Sequence, residues 1–198
     1  MKKIKIKRRC AWTGDDVLMQ KYHDTEWGVR TLDDRKLFEF LVLESAQAGL
    51  SWRTVLHKRE NYRKAFANFD PQKVARFTSN KVASLLADVG IIRNKAKIEA
   101  AINNAKCFLE VQKEFGSFSK YSWKFVCGKQ IRHTIRKISD FPTVISEAVA
   151  FAADLKKRGF KFLGPTIIYA HMQAVGMVDD HMIGCFRRKV YYINTKWK

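Results

Sequence analysis

Acidic residues are scarce in this chain: 19 Asp+Glu stand against 38 Lys+Arg, a formal net charge of +19. An excess of that size is more than solubility needs, and it points to a polyanionic partner, nucleic acid first. An acidic membrane surface is the weaker reading, because no strongly amphipathic, Lys-rich terminal helix stands out. Cysteine is sparse too. Four of them, without a dense framework, do not make a secreted disulfide scaffold. No apolar run reaches about 18 residues, so no segment reads as a transmembrane helix. The opening MKKIKIKRR is basic but lacks the apolar stretch of a signal peptide, and a reducing cytoplasm is the expected setting. Prolines number only three, and no Gly/Ser linker, repeat or low-complexity run divides the chain.

What is there reads as helix. The expectation is an all-α chain: one helical unit over 9–188, in one or two lobes, with a basic extension at 1–8 and a tail at 189–198. Asp33 and Asp34 open a helix with negative charge at its N-terminus. Leu37, Leu41 and Ala48 follow at helical spacing, Glu44 falls on the same stripe, and Gly49 stops the helix. Ser51 can cap the next, through Val55, Leu56, Tyr62 and Phe66. Asp70-Pro71 pairs a cap with a proline at the first helical position. Val82, Leu85, Leu86 and Val89 form a stripe ended by Gly90. A helix from Asn94 or Lys95 runs through Ile98, Ile102, Ala105 and Leu109. Residues 116–142 show no clear period. Residues 147–157 read as helix, and a last helix runs from Pro165 or Thr166 through Ala174. The Ile4/Ile6 alternation is the longest strand-like period.

Cys10 with His23, and His181 with Cys185, form a Cys2His2 set able to hold one zinc tetrahedrally. The second pair, at i,i+4, shares one face of a helix turn. The first pair does not have zinc-finger spacing, so on spacing alone ordinary thiols and unligated histidines are an equal reading. Glu44 lies on an apolar stripe, where a carboxylate loses hydration and needs a partner or a function. An ion pair with a buried arginine, or a cap, is the bland alternative. The turn Gly49-Leu50-Ser51-Trp52 breaks the helix and projects an aromatic beside the acid. Trp12, Tyr22, Trp27 and Trp52 are candidate walls of a pocket for a flat base, and plain core is the alternative. The polar Asp15, Asp16, Asp24 and Glu26 crowd the same stretch, and Met19 reads as packing. Residues 155–166 read as helix, tight glycine-flanked hairpin and helix. Such a turn offers backbone N–H groups to an anion. Lys156, Lys157, Arg158 and Lys161 around it suit a DNA phosphate, or form a merely solvated charge run. Residues 89–95 are a weaker copy.

Together these motifs resemble a family. Arg9-Cys-Ala-Trp12, Tyr22-His-Asp-Thr-Glu-Trp-Gly28, Leu43-Glu-Ser-Ala-Gln-Ala-Gly-Leu-Ser-Trp52, Lys58-Arg-Glu-Asn-Tyr62, Gly90-Ile-Ile-Arg93, Lys156-Lys-Arg-Gly-Phe-Lys-Phe162 and Asp180-His-Met-Ile-Gly-Cys185 are similar to DNA-3-methyladenine glycosylase I of bacteria. The resemblance runs from about Arg9 to Cys185. It implies a helix-hairpin-helix glycosylase fold and one structural zinc on Cys10, His23, His181 and Cys185. It implies that Glu44 is the catalytic carboxylate contacting the base, with Tyr22, Trp52, Trp12 and Trp27 around it. Leu50 is the expected wedge into the vacated stack, and Phe160, Lys161, Gly164, Thr166 and Lys157 the DNA-anchoring hairpin. Two positions depart from the family. An aromatic is frequent where Met19 stands, so one pocket wall differs. Asn is usual where Asp179 stands. Many helix-hairpin-helix glycosylases carry a catalytic aspartate in a Val-Asp-x-His setting, so Asp179 is a possible second carboxylate; a helix cap is the preferred reading.

The implied reaction is base excision by a monomer acting on double-stranded DNA that carries alkylated bases. Adenine methylated at N3 is cationic and leaves as a neutral base without a general acid. The protein must extrude the nucleotide, favour a cation and position a water. No lysine adjoins Glu44, so simple hydrolysis to an abasic site with release of free 3-methyladenine is expected, rather than strand cleavage. The rival from another class is a zinc-stabilised, non-catalytic nucleic-acid-binding protein. It would not need an acid among aromatics. A bifunctional glycosylase/lyase would need a lysine where Gly164-Pro165-Thr166 stands.

Overall fold

The structure, a computed structural model, describes residues 7–188. The Ile4/Ile6 alternation, the 189–198 tail and all of the 1–8 extension except Lys7 and Arg8 lie outside the described residues. The α-helices run in chain order as α1 (Val17–Thr25), α2 (Asp34–Gln47), α3 (Trp52–Ala65), α4 (Pro71–Val74), α5 (Ser79–Ala87), α6 (Lys95–Phe115), α7 (Phe118–Trp123), α8 (Ser146–Lys157) and α9 (Pro165–Ala174). Side-chain caps stand at the start of most of them: Asp16 for α1, Asp33 for α2, Ser51 for α3, Asp70 for α4 and Asn94 for α6.

The core is built around α2. Every residue from Leu37 to Ala46 is buried, where the sequence pattern showed only one apolar stripe. A helix apolar nearly all round has to be enclosed, and α3, α6, α7 and α9 enclose it. Two charged residues follow it inside. Glu39 is one of them. Its partner Arg59 of α3 donates to Glu39 Oε1 at 2.8 Å and, through both terminal nitrogens, to Glu26 at 2.8 and 2.7 Å. This fork clamps α3 to α2 and to the end of α1, with the charges paired as a buried site requires. Glu44 is the other.

Four of the elements do not show in the sequence pattern: α1, α7 and a pair of short strands. The six-residue α7 is held from a distance: Asp34 accepts hydrogen bonds from Phe118 N at 2.7 Å and Ser119 N at 2.8 Å. Ile131–Arg132 (β1) and Val178–Asp179 (β2) pair in parallel, Ile131 opposite Val178 and Arg132 opposite Asp179. A two-residue pairing leaves no period to read.

The first and last described segments are joined. Gly28 N donates to Gln173 O at 2.9 Å, Thr31 N to Val175 O at 3.0 Å and Phe186 N to Arg8 O at 2.9 Å. Gly176, at φ +74°, sits so close to the 29–30 peptide that a Cβ there would lie 2.5 Å from Arg30 N. Only glycine fits such an approach.

Candidate functional site

A pocket of about 400 Å³ opens between α1, α2, α3, α9 and the turn Ile138–Asp140. Trp12, Tyr22, Trp27 and Trp52 wall it, and Glu44 and Gln47 line it from α2. Trp12 and Trp27 meet edge to face with centroids 5.0 Å apart, and Tyr22 lies 5.3 Å from Trp52. Met19 also lines the pocket, so it is a wall residue as well as a packing one.

Sequence reasoning missed four lining residues: Ile138, Phe141, Ala170 and Gln173. The first two come from the stretch without a period. The last two sit three apart on α9, hence on one face of it. His171, between them, was missed as well, although a lone histidine in the apolar run of α9 carries the same signal that singled out Glu44.

Glu44 is 2% exposed, and its Oε2 lies 2.9 Å from His171 Nδ1, whose side chain is fully buried. Among the described residues its hydrogen-bonded side-chain partner is this histidine and not an arginine. Burial pushes the Glu44 carboxyl above its ordinary range, and the neighbouring His171 offsets part of that rise. Burial, then the charge of Glu44, pushes the Tyr22 hydroxyl well above its ordinary range. The Nε1 atoms of Trp12 and Trp52 are buried without a hydrogen-bond partner. Native proteins seldom leave such donors unmet, and at a pocket they mark where a guest bonds. Aromatic faces favour a cation. The arrangement is a receptor for a flat, positively charged heteroaromatic molecule.

The acids near Tyr22 do not belong to the pocket. Asp16 caps α1 and meets His57 and Arg53, each at 2.7 Å. Asp24 holds Arg9 and His23, and Glu26 holds Arg59.

Cys10, His23 and Cys185 form a buried cluster whose ligand atoms lie within 4.8 Å of one another. The ring of His181 stands edge-on to His23, with centroids 5.1 Å apart, and Met182 N donates to Cys10 Sγ at 3.3 Å. The hydrogen bond from Cys10, against burial and with His23 beside it, brings the Cys185 thiol down to about 4. Both histidines hold Nδ1 against a carboxylate, His23 on Asp24 at 2.9 Å and His181 on Asp179 at 2.8 Å. For His23 this turns Nε2 toward Cys10 N and Cys185 Sγ, the orientation in which an outer carboxylate supports a metal-binding imidazole. The structure brings three of the four expected ligands together and sets His181 beside them, outside the group; two thiols and an imidazole with a second imidazole adjacent are a donor set that suits zinc.

That geometry corrects the reading of Asp179. It lies in β2, not at a helix start, and takes hydrogen bonds from His181 N and Nδ1 while Arg132 Nε lies 3.4 Å away. It holds the ring of His181.

At the basic surface, α8 and α9 pack together through a hairpin. Gly159 (φ +86°) and Phe162 (φ +57°) turn the chain. Asn104 clasps it, accepting from Lys161 N at 2.8 Å and donating to Lys161 O at 2.9 Å. Lys157, Lys161, Gly164 and Thr166 are exposed. Phe160 is not: it is 6% exposed and packs on Phe118, so its side chain belongs to the core and Phe162 stands at the tip instead. Arg158 is taken up by Glu114 and Asp154. Leu50 is exposed on the α2–α3 turn. Lys97 Nζ holds that turn by donating to Ala46 O at 2.8 Å and Ala48 O at 2.6 Å.

Comparison with known proteins agrees with this chemistry. Residues 12–188 match the model of the methyladenine glycosylase family. The chain is 48% identical over 177 residues to DNA-3-methyladenine glycosylase 1 of Escherichia coli, covering 89% of this chain and 95% of that one. A crystal structure of a 3-methyladenine DNA glycosylase I superposes with TM-score 0.88 at 48% identity, covering 90% of this chain and 98% of the other. The Staphylococcus aureus enzyme, solved to explain 3-methyladenine recognition, superposes at 0.87 with 39% identity over 90% and 95% of the two chains. The chain belongs to the methyladenine glycosylase family, and its mostly helical fold is the one these structures share.

Proposed function

We propose that the chain hydrolyses the N-glycosidic bond of 3-methyladenine in alkylated duplex DNA, releasing the free base and leaving an abasic site. The carrying observation is the ionisable Glu44 buried beneath four aromatic rings in a chain of this family. A cationic base extruded into the pocket exchanges water for ring faces and one carboxylate. Oε2 of Glu44 is bonded to His171, so Oε1 is the oxygen that meets the base edge. The indole N–H groups of Trp12 and Trp52 are the donors for its ring nitrogens. The leaving group departs neutral, so no general acid is required. Among the described residues no lysine lines the pocket, which supports simple hydrolysis without a Schiff base.

Around that pocket, Leu50 is the wedge, and Lys157, Lys161, Gly164 and Thr166 grip phosphate in a helix-hairpin-helix manner. Cys10, His23, His181 and Cys185 hold a structural zinc, which contributes a cross-link and no chemistry at the base.

The test is to incubate the purified protein with methylated duplex DNA and measure free base, then strand breaks before alkali. Release of 3-methyladenine without breaks is expected. DNA binding without release would make this a non-catalytic binding protein, and breaks without alkali would make it a lyase. Elemental analysis tests the metal independently: about one zinc per chain is expected, and none would overturn the zinc assignment.

A further inference from the structure

The Glu44–His171 pair contains a feature that base recognition alone does not explain. A carboxylate can take hydrogen bonds from a base without any help from a histidine. Yet His171 is fully buried on α9, 127 residues away in the chain, with Nδ1 2.9 Å from Glu44 Oε2. Its other ring nitrogen, Nε2, is buried without a hydrogen-bond partner, and Phe151 lies edge-on to the ring at 6.5 Å between centroids. A proton on Nε2 would be an orphaned donor in apolar surroundings, which is costly. A proton on Nδ1 is donated to Glu44. The geometry therefore places an Nδ1–H against Glu44 Oε2.

We infer that His171 is a positioning residue: its Nδ1–H holds the Glu44 carboxylate ionised and turned, so that Oε1 faces a cationic base in the pocket. This rests on the proposed base-excision function and specifies what that site requires.

The physical case is a balance of two effects. Burial disfavours the carboxylate form of Glu44, and the His171 contact restores part of it. Among the described residues no other side chain does so. The titratable group facing Glu44 from α1 is Tyr22, a neutral hydroxyl itself pushed up by burial. Glu26 and Arg59, which act on Tyr22, are paired with each other at 2.7 Å. From α3, α8 and the 138–141 turn the neighbours are Trp52, Phe151 and Phe141, none of which titrates. Further along α9, Tyr169 and Gln173 both donate to Asp180. Without His171, protonation of Glu44 would set in at higher pH, and a protonated Glu44 offers a cation nothing.

The sign of the effect follows. Glu44 must be ionised to favour the base, so activity falls as pH drops through its pKa. Removing the one group that lowers that pKa moves the acid limb upward. The experiment is single-turnover release of 3-methyladenine from methylated duplex across the acid range, for wild type, His171→Leu and His171→Asn. In His171→Leu the acid limb should move up by about one pH unit, the scale of one hydrogen bond to a carboxylate. Well above the limb, its rate should also fall, by about fivefold, the scale of one orienting hydrogen bond. His171→Asn, whose side-chain N–H stands where Nδ1 stood, should restore the limb.

Should the leucine variant not fold, His171→Gln, whose amide stands at the Nε2 position, carries the same expected shift. In a Glu44→Gln background neither substitution should move the profile. An unmoved limb in a folded variant, or a loss independent of pH and equal in the Glu44→Gln background, would overturn the inference. Wild-type protein that releases no base at any pH would instead overturn the function on which it rests.

Discussion

Replacing Asp179 by asparagine separates two roles for a buried carboxylate. Asp179 Oδ1 accepts from His181 Nδ1 at 2.8 Å and from His181 N at 3.2 Å. Burial pushes its carboxyl up, but the His181 donors and then Arg132 more than offset this and hold it below its ordinary range. Asparagine keeps the size and one acceptor and removes the charge. The His181 ring then loses its charged anchor and, in the proposed zinc site, its imidazole becomes a poorer ligand. Loss of such an outer partner typically weakens metal binding about 10- to 100-fold, or about 1.4 to 2.7 kcal/mol at 1.4 kcal/mol per decade. The assay is competition for zinc against a chromophoric chelator, paired with single-turnover base release at saturating zinc. Weaker zinc binding is expected, with release within about threefold of wild type, under 1 kcal/mol in the barrier. If zinc affinity were unchanged and release abolished, Asp179 would be acting on the base or its sugar, and Glu44 would no longer be the principal carboxylate.

Glu44→Gln should lower single-turnover release by about 100-fold or more, with Tm unchanged or raised, because it removes a buried charge that folding has to tolerate. Equal release from Glu44→Gln and wild type would refute the role given to it. Neutralising Lys157 and Lys161 together should weaken binding to every undamaged duplex alike and reduce the salt slope by about two units; a slope identical to wild type in a titration of salt would remove the hairpin from the DNA interface. Gly176→Ala should lower stability by about 2 kcal/mol or more in urea denaturation, since a Cβ meets the 29–30 peptide at a positive φ. A wild-type midpoint would show that the close approach is not required.

The capped helices were the most readable part of the fold. Asp33, Ser51, Asp70 and Asn94 each announced a helix that starts where the cap stands. The helix α1 escaped because it is short and carries few apolar residues, and α7 because its N-terminal N–H groups are satisfied by Asp34, far off in the chain. The pocket walls were legible through composition: several tryptophans beside an acid on an apolar stripe. Phe160 and Arg158 were misjudged because sequence proximity to a basic hairpin says nothing of which side chains turn inward. Asp179 looked like a cap because it stands two residues before a histidine, a spacing that equally lets it hold that histidine's ring.

The Cys/His cluster also bears on how the protein is made. Trp12, Tyr22 and Trp27 ride on the same stretch as Cys10 and His23, whereas His181 and Cys185 are synthesised some 160 residues later. During translation that wall can dock early on α3, through Glu26 on Arg59 and Asp16 on His57, but its contacts with His181 and Cys185 form only when the later segment has emerged. A product cut short before Cys185 would carry Glu44, the hairpin and the positive charge, yet lack the thiol that closes the Cys/His cluster behind Trp12 and Trp27.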